Sequence, residues 1–283
     1  MRRFMFFFVV LLFVSKIIAQ PSCYAFMHYG DTLKYKACVK AEESNAYYQF
    51  SKEFQEILDA SIRIDSTFAY AYREKSVAYL KSGNFLIWKK WIDKAVKFNP
   101  KDNLGYRGWC RYQFFRDYKG AIKDIEELDS IVNYDIGYSA NGDYHLNIAK
   151  ALCYKAIGEK EKAIKIIEKT LENKDYSVGI YDYLHLGVLY LETKNYEKAK
   201  QTLEKQRVQN NIAENQFYLA LVFKYQKKEM LYIEHLNNAK DLYVKGQKMF
   251  DPYTNPMDKI YLDDIETELI NGKIAHTIPI KRN

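Results

Sequence analysis

Proline and glycine are scarce in this chain, at 5 and 12 of 283 residues. That excludes collagen-like and low-complexity classes and leans the chain toward helix. Histidine is also sparse. His28, His145, His185, His235 and His276 are the full set, and none stands at metal-pair spacing from another ligand. There is no serine-centred glycine elbow, no phosphate-cradling glycine loop and no paired-cysteine motif. Without an assembled acid, base or nucleophile, the expectation is no catalytic residue, no metal and no cofactor. Cys110 and Cys153 are expected on neighbouring helices at differing register, about 8–10 Å apart axis to axis, too far for a disulfide, and read as small apolar core residues. A concentrated basic stripe is missing too, which argues against nucleic acid as a partner. What the chain has instead is 48% apolar and 28% charged residues, with 26 Tyr and 16 Phe. Aromatics in such numbers suit packing between helices and contact surfaces.

The one long apolar run lies at the start. Arg2 and Arg3 precede Phe4 to Val14, and Ile17-Ile18-Ala19 precedes Gln20-Pro21. A basic start, an apolar middle and a small residue at the end read as a signal peptide over 1–19, with export to the periplasm or beyond. The run is short for a span of about 20 residues and Lys16 interrupts it, so no spanning helix is expected in the mature chain. Cleavage leaves 40 basic against 36 acidic side chains, a mild net +4. A lipid-modified Cys23 is the weaker alternative, because Gln20-Pro21-Ser22 match the bacterial lipoprotein box poorly. In an oxidising compartment Cys23 and Cys38 form either a disulfide or two unpaired thiols.

The stretch Tyr181 to Gln206 organises the rest. Tyr183, Leu186, Leu189 and Tyr190 make one helical stripe, Glu192-Thr193-Lys194-Asn195 a polar turn, and Tyr196, Ala199 and Leu203 a second stripe. Gly187 and Ala199 are small where two helices must approach. This order resembles the tetratricopeptide repeat (TPR), with its aromatic, Leu-Gly, Tyr, Ala and large apolar positions. Further repeats are legible at 67–100, 103–132, 144–174 and 213–243, with a degenerate first repeat carried by a strong helix over 45–64 whose stripe includes Tyr48. The polar loop 133–143 interrupts them, and 246–255 is a break. A last helix over 256–271 would cap the stack, and 272–283 reads as frayed. The expected organisation is a 20–44 N-terminal segment, a 45–245 solenoid of about six repeats, and a 246–283 linker, capping helix and tail. The fold class is all-α, an α-solenoid of stacked antiparallel hairpins.

The resemblance implies an interaction scaffold rather than an enzyme, with first helices lining a concave face that receives a protein or peptide. Register carries that face onto Tyr70, Arg73 and Val77, then Arg107, Arg111 and Phe114, then His145 and Ile148. It continues through Tyr181, Leu184 and Val188 to Phe217, Leu221 and Lys224. The arginines would hold a carboxylate by paired hydrogen bonds or pair with glutamates of their own solenoid. On the first alternative, replacing Arg107 and Arg111 with Ala would weaken an acidic partner and leave the fold intact. A self-associating solenoid is the rival reading, and the oligomeric state is left open.

Overall fold

The computed structural model describes residues 22–277, with side chains described to Gly272. The expected signal peptide lies outside the described residues. No helix among the described residues is long and apolar enough to cross a membrane. Strands are absent among them, apart from a single bridge between Tyr138 and His145. The chain divides into two compact units at Asn99/Pro100. Each is a stack of antiparallel helix hairpins, the all-α solenoid architecture.

The N-terminal unit holds α1 (Cys23–His28), α2 (Thr32–Glu42), α3 (Lys52–Ile64), α4 (Ala69–Lys81) and α5 (Phe85–Phe98). A disulfide joins Cys23 to Cys38, across 15 residues, and ties α1 to α2. Its sulfurs lie in a core with Ala37, Ala41, Phe54, Leu58, Phe68 and Ala71. The helix expected from residue 45 begins only at Lys52. Ser44 bonds back to the Ala41 carbonyl at 2.7 Å, a 3-10 turn follows α2, and Ser51 caps α3 by accepting from Phe54 N at 3.1 Å. Local capping therefore overrides the apolar period there. Tyr48 is 73% exposed instead of belonging to a buried stripe.

The second unit begins with α6 (Pro100–Cys110), whose last turn continues as a π-helical segment, Arg111–Phe115. Then come α7 (Tyr118–Ile131), α8 (Leu146–Ala156), α9 (Lys160–Glu172), α10 (Asp182–Glu192), α11 (Tyr196–Gln209), α12 (Ala213–Tyr225), α13 (Glu229–Val244) and α14 (Leu262–Thr277). Pro100 opens α6, where its missing N–H costs nothing. Asp117 and Asn195 cap α7 and α11 through their side chains, as Asn84 caps α5 in the first unit. Gly187 allows the tight α10–α11 crossing, since a Cβ there would meet Leu203 Cγ at 2.6 Å. Fully buried Ile125, Leu152, Ile167, Leu189, Leu203, Leu219 and Leu236 form the seam between hairpins. The loop before α8 is held by Asp135, which bonds Gly137 N and His145, while His145 caps α8 through Asn147 N.

The final helix starts six residues later than the sequence suggests and runs to Thr277 through the stretch expected to fray. Residues 246–261 form no helix and run as a series of turns and bends. Gly246 (φ +79°) turns the chain out of α13, Pro252 and Pro256 restrict it, and Asp258 takes φ +65°. Asp251 accepts from Tyr253 N and Thr254 N in a local turn.

Candidate functional site

This irregular stretch crosses the first helices of the second unit's hairpins, burying Met249 and Ile260 to 1% and 2% exposure and making a series of polar contacts. At its start, the Gln247 carbonyl accepts from Ala213 N of α12 at 2.9 Å, and Met249 N donates to Glu214 Oε2 at 2.9 Å. Gln113, in the π-helical segment, donates to Asp251 at 2.6 Å and to Thr254 at 2.8 Å. Arg116 donates to the Asn255 carbonyl at 2.6 Å. Arg116 has the left-handed φ of 55° that ends that segment and turns its guanidinium toward the stretch. A π turn widens the helix by one residue and re-aims the side chains beyond it, a device that recurs at binding sites.

Asp258 is the main anchor, with a side chain 5% exposed. Lys155 Nζ of α8 lies 2.5 Å from Oδ1, and His185 Nδ1 of α10 lies 2.7 Å from Oδ2. Tyr218 of α12 donates to the Asp258 carbonyl at 3.2 Å. Three consecutive first helices thus converge on one residue. Burial pushes the Asp258 carboxyl up, but the Lys155 charge and the His185 bond outweigh it and hold it below the ordinary carboxylate value. His185 is fully buried, and its Nε2 meets the Tyr144 hydroxyl at 3.2 Å. Burial pushes the Tyr144 and Tyr218 phenols well up, so both stay protonated donors. A proton on His185 Nδ1 then serves Asp258, and Nε2 accepts from Tyr144.

This arrangement corrects several expected positions of the concave face. Ile148, Leu184, Val188, Phe217 and His145 are each at most 8% exposed and belong to the packed interior. They cannot line an open groove. Their inner-face register is filled by neighbouring helices and by the crossing stretch. Tyr181 is half-buried and bonds the Phe250 backbone. Lys224 is exposed but pairs with Glu268 of α14 at 2.5 Å, and Leu221 is half-buried. In the first unit Tyr70, Arg73 and Val77 are half-buried, and Tyr70 packs against the Phe68 ring. Phe114 is half-buried in the π turn.

Arg107 and Arg111 are also not a free receptor. Both reach Asp124 of α7, whose side chain is fully buried. Arg107 does so by two bonds of 2.9 and 2.7 Å and Arg111 at 3.0 Å. The arginines are only 14% and 17% exposed. Removing either would strip a buried carboxylate of a partner, so the substitution should destabilise the fold rather than spare it.

Sequence reasoning misses the residues that grip the stretch. Lys155 is legible only as a lone lysine among apolar neighbours, and His185 only as a helical histidine. Asp258 sits in a stretch that reads as a break.

With the geometry in hand, the comparisons are informative. Residues 183–206 match the family model for the tetratricopeptide repeat. A TPR repeat-containing protein of Methanocaldococcus jannaschii is 23% identical over 197 residues, 63% of this chain. The match spans 33% of that relative's length. Among solved structures, PilF of Pseudomonas aeruginosa aligns with TM-score 0.56 and 14% identity, over 86% of this chain and 99% of its own. PilW, a type IV pilus biogenesis factor, aligns at 0.54 and 11%, over 78% and 90%. YrrB, a TPR protein with an unusual peptide-binding site, aligns at 0.53 and 13%, over 66% and 93%. These likenesses show the fold. The class is therefore a TPR-like helical-hairpin repeat protein, and proteins of that class are generally interaction scaffolds. The particular repeat that the family model recognises is the α10–α11 hairpin, whose first helix carries His185.

Proposed function

We propose that the protein is a non-catalytic scaffold of the cell envelope that binds an extended segment of another protein along the first helices of its hairpins. One observation carries this reading. Side chains of α8, α10 and α12, from three successive hairpins, already hold a non-helical stretch of polypeptide. Such a surface recognises chain, not a small substrate. The Asp258–His185–Tyr144 line has no accessible nucleophile beside it, since His185 and Tyr144 are both buried. Export is supported by the basic-apolar-small pattern of residues 1–19 and by the Cys23–Cys38 disulfide, which suits an oxidising compartment. That disulfide also occupies the sulfur that a lipid anchor at Cys23 would need. Structural likeness to PilW, a type IV pilus biogenesis factor, is in keeping with an envelope role, and likeness to YrrB with peptide binding.

Cross-linking the protein in its native envelope, followed by identification of the attached peptides, tests the reading. Recovery of one partner segment joined to the second unit is the expected outcome. Recovery of the protein only in the cytoplasmic fraction, with no attached chain, would overturn it.

A further inference from the structure

We infer that residues 246–261 are an internal stand-in for the partner, occupying a carboxylate-selective groove that opens when an acidic segment of another protein displaces them. This rests on the scaffold reading and adds the ligand's chemistry and its regulation. The groove's side chains are mostly donors. Gln113, Arg116, Lys155, His185 and Tyr218 give hydrogen bonds to the stretch, while Glu214 and Tyr181 accept from its backbone N–H groups. An occupant must therefore bring acceptors: backbone carbonyls and one carboxylate seated between Lys155 and His185.

Two features distinguish an exchangeable strap from a permanent part of the core. The first is what the groove keeps when the strap leaves. Lys155 retains Glu192 at 3.1 Å, and His185 retains Tyr144. Neither of these two groups is orphaned, whereas buried Glu214 loses the Met249 N–H, so exchange requires an occupant that brings a backbone N–H to Glu214 as well as a carboxylate to Lys155 and His185. The second is how the strap is tethered. On its N-terminal side it leaves α13, and on its C-terminal side it enters α14, which docks on α13 independently. Tyr232 donates to the Glu268 carbonyl at 2.9 Å, Lys240 meets Glu266 at 2.7 Å, and Ile265 is fully buried. The strap can swing out as a loop while both flanking helices stay in place.

The test uses the full chain, the Asp258→Ala variant and a fluorescent peptide of residues 246–261. The variant is expected to bind the peptide at least about tenfold more tightly than the wild type, whose groove is filled. A peptide carrying the same Asp258→Ala change is expected to lose that binding. Equal binding of both peptides, or no binding by a variant whose circular dichroism matches the wild type, would overturn the inference. Hydrogen exchange on the wild type needs no variant. Amides of 246–261, Met249 among them, should exchange well before those of α10 and α12. Exchange of all three together would mark the strap as a fixed piece of the fold and overturn it. So would a strap-exchanged dimer in sedimentation, since the occupant would then be a second copy. Capture of an envelope partner that cross-links to α8, α10 and α12 but binds the wild type and the Asp258→Ala variant equally would uphold the scaffold reading and remove this one.

Discussion

The hairpin turns of the second unit isolate a single-residue effect. Gly158 sits at φ +91° between α8 and α9, and Lys194 and Lys227 take φ +62° and +59° in the turns of α10–α11 and α12–α13. Left-handed backbone is free for glycine and costs a side-chain-bearing residue about 1 kcal/mol. Gly158→Ala should therefore lose roughly 1 kcal/mol, while Lys194→Gly should gain a few tenths to 1 kcal/mol. Denaturant melts of the two variants check the opposite signs. Asp258 carries the second prediction at this scale. Its folded carboxyl titrates below its ordinary value, so its contribution is fully present above the unfolded value of about 3.9 and is lost as pH falls through the folded value. Detachment of 246–261 through this group belongs to the window below about pH 4, and Asp258→Asn should remove that part of the acid sensitivity. Exchange rates of the strap between pH 3 and 6 measure it.

Helix pairs are legible in the sequence because their determinants are local. Tyr183, Gly187, Tyr190 and Ala199 lie within one repeat, and the crossing they specify is the one observed. The late start of α3 and the non-helical path of 246–261 are not legible, for different reasons. The first turns on Ser51 capping against an apolar period. The second turns on contacts 73 and 103 residues away, from Asp258 to His185 and Lys155, which no window of sequence contains. The same long-range logic explains the arginines. Arg107 and Arg111 read as a receptor because Asp124, 17 residues from Arg107, reads as an ordinary polar position on α7. Since Asp124 is buried and ion-paired to both, Arg107→Ala should destabilise the α6–α7 hairpin by about 3 kcal/mol. A guanidinium melt is the check. Asp124→Ala together with Arg107→Ala should cost less than the sum of the singles, because the pair shares one interaction.

At the scale of the whole molecule, each unit closes one end of the chain by a different device. The second unit folds its own chain back over its hairpins through the strap and α14. The first shows no such return among its described residues, and its first described elements are short: α1 is six residues and α2 eleven. A six-residue helix is not stable alone, so α1 depends on the Cys23–Cys38 bond and on the core those sulfurs enter. Closing a loop of 15 residues removes unfolded-state entropy worth about 3 kcal/mol. Reduction should therefore loosen α1, α2 and the facing side of α3, where Ser61 bonds the Ala37 carbonyl at 2.7 Å. It should leave α8, α10 and α12 unchanged, because none of their contacts passes through that bond. Hydrogen exchange with and without reductant reads both halves of the expectation in one experiment. Equal loosening in α8 to α12 would mean that the staple acts on more than its own unit. Accumulation of properly folded protein should then depend on an oxidising compartment, and a Cys23→Ser, Cys38→Ser variant should show the same loosening without reductant.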